Sequence, residues 1–415
     1  MKENNTLQTT MSMEEKHGFT ATFPTEKHEN GTYHTPRGEN LTRSTKVLEE
    51  DSFYLKIANN AITEVGSKPS FIIRLNRELF KNFCTKTCYT LQSDPVQQSV
   101  WQNNVPQLAF SFDFVMHGIL ALSALHLAYL YPQKDFYVSY AQLHYQISFN
   151  RGKKLLSQIT QENCSGLYVF SILVAVYALA SPRKPEDFLL VRETGIAPWL
   201  SIFRENCAIM ESSGTALMSG PLRPMIENGL QKFQLRESRT NKTSIGEEQL
   251  NILQYLIAGT IPDLETFNTY AQAIEELRKS FAVFNIYQYN HGATDAFIWV
   301  HCVSEEYLLL LRKGTQESLC IFAFFCALLH QMNSIWWGEG WSAHLMAQIG
   351  LLLDEEHRQW ILWPVKQVPI PGMSINLSSL PKGSFWNRVA WRPVHPIEFD
   401  SELVQEALLK FELQY

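Results

Sequence analysis

FDFVMHGILALSALHLAYL, residues 112–130, is the stretch that decides the fold. After Asp113 it carries no formal charge, and its apolar residues follow neither the alternation of a half-buried strand nor the single stripe of a surface helix. A helix that is apolar all round has to be enclosed by other elements. The same texture returns twice. Phe114–Gln133, Asn163–Pro182 and Ser318–Gly338 all lack Lys, Arg, Asp and Glu. Each is just long enough to reach across a bilayer. Their histidines (His117, His126, His330), the polar start Asn163–Ser165 and a mean hydropathy of −0.15 favour buried helices over stable membrane insertion.

Around these stretches the pattern is helical almost throughout, with hardly any strand-like alternation, so an all-α, multi-helix fold is expected. Thr160 reads as an N-cap of a helix closed by Pro182 and Pro185. Ser244 stands three residues before Glu247, a capping-box spacing, ahead of Leu250, Leu253, Leu256 and Ile257, with Pro262 as the stop. Leu264, Phe267, Ala271, Ile274 and Leu277 mark an amphipathic helix. A single helix is expected from about Asp295 through Leu311, halting at Gly314. The organisation expected is a disordered polar arm over 1–50, a transitional segment over 51–77, an all-α body over 78–364 and a Pro/Gly-rich, irregular tail over 365–415. The tail ends in a short amphipathic helix, Ser401–Leu413.

In a chain of 415 residues, 45% hydrophobic residues with 12% aromatic supply a sizeable core. The net charge of −6 disfavours a surface devoted to nucleic-acid backbone, which calls for a basic excess. Seven cysteines, odd in number and scattered through apolar runs, read as reduced and intracellular. The N-terminus lacks the apolar core of a secretory signal.

Chemical motifs are sparse. Neither G-x-G-x-x-G nor a P-loop occurs, and HEXXH is missing. Cys84 and Cys88 would share a helix face, but no second pair follows at finger spacing, so they read as core residues and no metal or cofactor is expected. Gly340-Trp341-Ser342-Ala343-His344 begins like a nucleophile elbow, yet residues two apart on a helix point away from each other. Glu356–His357 reads as a solvated face. His117 and His126, nine residues apart, fall on opposite sides of their helix and form no joint site. Asp113 is read as a charge at a helix N-terminus or as an acid of raised pKa. Five tryptophans, at 336, 337, 341, 360 and 363, read equally as late-helix packing or as a rigid apolar wall with N–H groups to orient a ligand.

Residues 100–130 (VWQNNVPQLAFSFDFVMHGILALSALHLAYL), 140–182 and 321–364 (IFAFFCALLHQMNSIWWGEGWSAHLMAQIGLLLDEEHRQWILWP) together resemble the C-terminal regulatory domain of fungal zinc-cluster transcription factors of the sterol uptake control type. The resemblance implies an all-α ligand-sensing domain that binds a sterol or other small apolar metabolite and pairs as a homo- or hetero-dimer with a related factor. It implies a nuclear protein regulating a sterol-related or specialised-metabolite pathway. Trp336, Trp337, Gly338, Gly340 and Trp341 correspond to the late loop and helix near the pocket, and Phe114, His117, Leu120 and Leu125 fall in the first matching helix. The ligand-binding set expected is therefore Phe114, His117, Leu120, Leu125, Trp336, Trp337, Gly340 and Trp341.

The chain departs from the family in three respects. Family members carry a six-cysteine zinc cluster ahead of this domain, whereas the first cysteine here is Cys84, so direct DNA contact is not expected from this chain alone. Arg151-Gly152-Lys153-Lys154 stands where a more apolar helix is expected. About fifty residues follow the final Trp363-Pro364. The alternative function is a cyclase- or isomerase-type enzyme on a repurposed sensor fold, with Asp113, His117 or Glu339 as the acid or base.

Overall fold

A computed structural model of the chain describes residues 69–238, 246–286 and 294–368. The expected polar arm, the Ser244 cap and the terminal amphipathic helix lie outside these residues. Within them the fold is all-α. Its first helix, α1 (Pro69–Thr85), begins ahead of Glu78 and is followed by a 3-10 turn, Thr87–Thr90. Next come α2 (Pro95–Ser99), a π-turn (Val100–Asn104) and α3 (Val105–Ser111). The decisive stretch becomes α4 (Asp113–Leu130), with α5 (Phe136–Leu155) and α6 (Cys164–Ala180) packed along it.

Every residue of α4 from Phe114 to Leu127 is buried, which is what its unbroken apolar circumference demands. Among the described residues α4 is the helix long and apolar enough to cross a membrane, and here it is enclosed by α1, α5 and α6. The Asn163–Pro182 stretch forms α6, whose last residue is Ala180, just before Pro182. Thr160 is not its N-cap: the helix starts at Cys164. Thr160 instead forms a reciprocal pair with Asn163, its N–H donating to Asn163 Oδ1 (2.8 Å) and its hydroxyl accepting from Asn163 N–H (3.3 Å).

A two-residue hairpin that the sequence did not announce follows, β1 (Val191–Arg192) with β2 (Gly195–Ile196), antiparallel and pairing Val191 with Ile196. It leads into α7 (Pro198–Arg204), α8 (Asn206–Ser219) and α9 (Arg223–Glu237). Then come α10 (Glu247–Thr260), α11 (Leu264–Ile286), α12 (Thr294–Cys302) and α13 (Glu305–Lys313). The single helix expected from Asp295 to Leu311 is two. Ser304 takes extended backbone angles and its hydroxyl accepts from Tyr307 N–H, starting a new helix. The stop at Gly314 is as expected, with that glycine left-handed at φ 69°.

The second fully enclosed helix is α14 (Gln316–Leu329), buried from Ser318 to Leu329. α15 (Trp341–Leu352) packs against it, and α16 (Glu355–Trp360) and α17 (Leu362–Gln367) follow. Asp354 caps α16 through His357 N–H. His357 is not on a solvated face: it is buried, its Nδ1 lies 2.8 Å from Asp354 Oδ1, and its ring packs on Trp360.

The Arg151–Lys154 departure has a packing reason. A Cβ on Gly152 would stand 2.5 Å from the Phe170 ring of α6, so only glycine lets α5 and α6 approach this closely. Arg151 forms an ion pair with Asp113 at the start of α4. Gly152→Val should force these helices apart and destabilise the fold by about 1–3 kcal/mol. A lowered thermal-unfolding midpoint followed by circular dichroism would register it, and an unchanged midpoint would contradict this packing.

Candidate functional site

Two polar clusters are built on α4, one near each end. The first holds His117, which is fully buried. Its Nδ1 lies 2.8 Å from Nδ1 of His144 on α5, and His144 Nε2 lies 3.1 Å from Oδ1 of Asn76 on α1. With that amide orientation the protons are determined. His144 carries Nε2–H and donates it to Asn76, so its Nδ1 accepts the Nδ1–H of His117. His117 Nε2 is then a buried lone pair with no hydrogen-bond partner. One turn earlier, Ser148 Oγ donates to the Phe114 carbonyl (2.7 Å), and the Phe114 ring meets Phe170 edge-on at 5.7 Å.

The second cluster joins α4 to the Trp336–Trp341 loop. Ser123 Oγ donates to the Leu79 carbonyl (2.6 Å), and the Asn82 amide donates to Ser123 Oγ (3.0 Å) and Thr87 Oγ1 (3.1 Å). Thr87 in turn donates to Nδ1 of His126 (2.9 Å), so the proton of His126 sits on Nε2. The His126 ring stacks on Trp336 at 4.9 Å and 18°.

The loop itself is shaped by glycine. Gly340 is left-handed at φ 76°, and a Cβ there would stand 2.7 Å from the Arg183 guanidinium. Gly340 N–H donates to Asn333 Oδ1 (2.8 Å). Each indole N–H of the loop is committed to a protein acceptor. Trp336 donates to Thr90 Oγ1 (2.9 Å), Trp337 to the Thr90 carbonyl (3.2 Å) and Trp341 to the Leu179 carbonyl at the end of α6 (2.8 Å). Arg183 lies over the Trp341 ring at 5.3 Å and donates to the Glu339 carbonyl. Tyr129 donates to Glu339 Oε2 at 2.9 Å.

The residues singled out in the sequence therefore fall into separate places. Phe114, His117, Leu120 and Leu125 line the buried length of α4. Trp336, Trp337, Gly340 and Trp341 form a clasp that ties the far end of α4 to α6 and the Thr87–Thr90 turn. Asp113, His117 and Glu339 share no centre. Asp113 is engaged by Arg151, His117 by His144 and Glu339 by Tyr129, and Asp113 and Tyr129 are about 24 Å apart along one helix. His344 does not meet Ser342, as the helical spacing required. It bonds the Asp187 carbonyl at 2.8 Å, while Ser342 Oγ lies 3.1 Å from His330 Nδ1. Cys88 is a core thiol and Cys84 a half-buried one packed against the core, both with pKa values pushed up to about 11 chiefly by burial, and Cys88 Sγ donates to the Cys84 carbonyl. Among the described residues no group of three His, Cys, Asp or Glu is arranged to hold a metal ion. Asn76, Asn82 and His144, on helices of mixed polarity, and Arg183, in the segment after α6, were not singled out by sequence, because a single polar residue carries no pattern of its own.

Burial lowers the pKa of His117 well below its ordinary 6.5 and takes those of His126 and His144 to about 4. Unfolded, these rings would protonate near 6.5. Between about pH 6.5 and 4 the unfolded chain thus binds more protons than the folded one, so stability falls with acidification through that window. Urea unfolding midpoints at pH 7.5, 6 and 5 should decline in that order; a flat series would contradict neutral buried histidines. Separately, Trp341→Phe strands the buried Leu179 carbonyl and should cost about 1–3 kcal/mol in the same assay.

No family model matches the chain. A Gibberella zeae protein named Zn(2)-C6 fungal-type transcription factor is 25% identical over 312 residues, which are 71% of this chain and 61% of that protein. Sterol uptake control protein 2 of Saccharomyces cerevisiae is 28% identical over 108 residues, 26% of this chain and 12% of that protein. The chain thus spans less than two thirds of the length of either relative.

Proposed function

We propose, starting from this chain's kinship with the fungal zinc-cluster transcription factors, that its helical body is the ligand-responsive part of a transcriptional regulator. The ligand class is a sterol or another small apolar metabolite, and the pathway is sterol-related or specialised metabolism. The body acts by self-association or by pairing with a related factor, in the nucleus. The observation that carries the reading is the pairing of two wholly enclosed apolar helices, α4 and α14, with a relative named for sterol uptake control.

The physical logic runs through the clasp. An apolar ligand gains affinity by removing its surface from water and needs few polar groups to orient it. Phe114, Leu120 and Leu125 supply apolar surface on α4, and His117 Nε2 supplies an acceptor. The tryptophan loop closes over the other end of α4 and holds α6 through Trp341. A ligand that favours one spacing of these helices shifts the loop, and with it the surface offered to a partner. Such a shift is limited to the ligand's differential affinity for the two arrangements.

The deciding experiment deletes the gene and reads transcripts and metabolites from the same cultures. The expected outcome is a coordinated rise or fall of one pathway's transcripts. Steady transcripts with accumulation of a single intermediate would overturn the regulatory reading in favour of an enzyme. For the ligand, tryptophan fluorescence of the purified full chain titrated with ergosterol should change saturably, and Trp336→Phe together with Leu120→Ala should weaken it by about tenfold or more.

A further inference from the structure

Of the seven cysteines, Cys207 is the one that is exposed. Its Sγ lies 2.8 Å from Nε2 of His301, a residue 94 positions later in the chain. Both sides of this contact are held firmly. Cys207 is the second residue of α8, and its neighbour Asn206 accepts a hydrogen bond from Ser171 on α6. His301 stands in the last turn of α12, which Arg204 clamps by donating to the carbonyls of Val300 (2.8 Å) and Val303 (2.6 Å). The imidazole is also seated edge-on against the Phe203 ring at 5.8 Å, and Phe203 meets Phe297 at 5.9 Å, so an aromatic wall backs the base.

The geometry points to a thiol-modification site at Cys207, with His301 as its general base and a soft, apolar carbon electrophile such as an α,β-unsaturated carbonyl as its reactant. This site lies apart from the α4 clusters and does not depend on the ligand reading given above. A nucleophile and a base within hydrogen-bond reach, each fixed by its own anchor, is the arrangement that activates a thiol. The pair rests uncharged, so the proton moves only as the Sγ–C bond forms. Burial, with Arg204 and Arg236 nearby, takes the His301 pKa to about 4, so the ring is neutral and accepts at Nε2 when its proton is on Nδ1. Burial and the Glu211 carboxylate raise the Cys207 thiol, so the proton rests on sulfur and points at the base.

In the reaction the Sγ–H bond breaks and its proton passes to His301 Nε2. The Sγ–C bond forms at the β-carbon of the electrophile, and its π pair moves to the α-carbon and carbonyl oxygen. The imidazolium then returns the proton to the α-carbon, restoring the neutral base. The balance requires no oxidant or metal. The other thiols are poor competitors: Cys88, Cys164, Cys320 and Cys326 are buried, and Cys84 and Cys302 are half-buried with pKa values pushed up to about 11.

The test treats the full-length folded chain with substoichiometric N-ethylmaleimide at pH 7 and maps the adducts by peptide mass spectrometry. Cys207 should be labelled first, about tenfold or more ahead of Cys84, and His301→Asn should slow it by about tenfold or more. Equal labelling of Cys207 in wild type and His301→Asn would overturn the proposal. If that variant fails to fold, the wild-type rate at Cys207 is compared with that of glutathione at the same pH. A raised thiol pKa without base assistance predicts a slower reaction than the free tripeptide, and that result would equally overturn it. A faster one supports it.

Discussion

Enclosing α4 on every side imposes the constraint on which the rest of this structure depends. An apolar helix with no solvent face must still carry His117, Ser123 and His126, and each polar atom left unpaired inside would cost far more than a made bond contributes. The partners come from three different elements. His144 on α5 meets His117, Asn82 on α1 meets Ser123, and Thr87 in the turn after α1 meets His126. Each pairing works at one axial and rotational setting only, so the polar residues fix how α1 and α5 sit on a helix whose apolar surface alone would accept several registers.

Neutral imidazoles are part of the same arrangement. As a neutral ring His144 donates from Nε2 to Asn76 and accepts at Nδ1 from His117, and His126 receives the Thr87 hydroxyl at a bare Nδ1. Burial supplies that state by disfavouring the charged ring. Close packing does the remainder: Gly152 under Phe170 brings α5 against α6 with no room for a methyl group.

The tryptophan loop converts this rigid centre into a connected body. Its three indoles give van der Waals area and a donor each, and the donors reach a threonine side chain, a turn carbonyl and the last turn of α6. Gly340 supplies the backbone angle that turns the chain into α15, where it packs on α14. One short segment thereby touches the surroundings of both enclosed helices. A change along α4 therefore has a short physical route to the loop, through the stack of His126 on Trp336.

Much of this was open to reading in the chain itself. Uninterrupted apolar composition over residues 112–130 requires a buried helix whatever surrounds it, and Gly314, the prolines after Ala180 and the glycines of the Trp336–Trp341 loop act through local backbone geometry. Asp354 and Ser304 likewise cap the N–H groups three positions on, yet neither cap was read from the sequence, because a serine or aspartate beside charged residues marks a solvated face equally well. The opposite faces of His117 and His126 also follow from helical period alone. What tertiary structure decided is every contact between residues distant in sequence. His144 is 27 positions from His117, Arg151 is 38 from Asp113, and His301 is 94 from Cys207. Periodicity reports which side of a helix faces inward, but not which neighbour it meets there, because that depends on how the helices pack together.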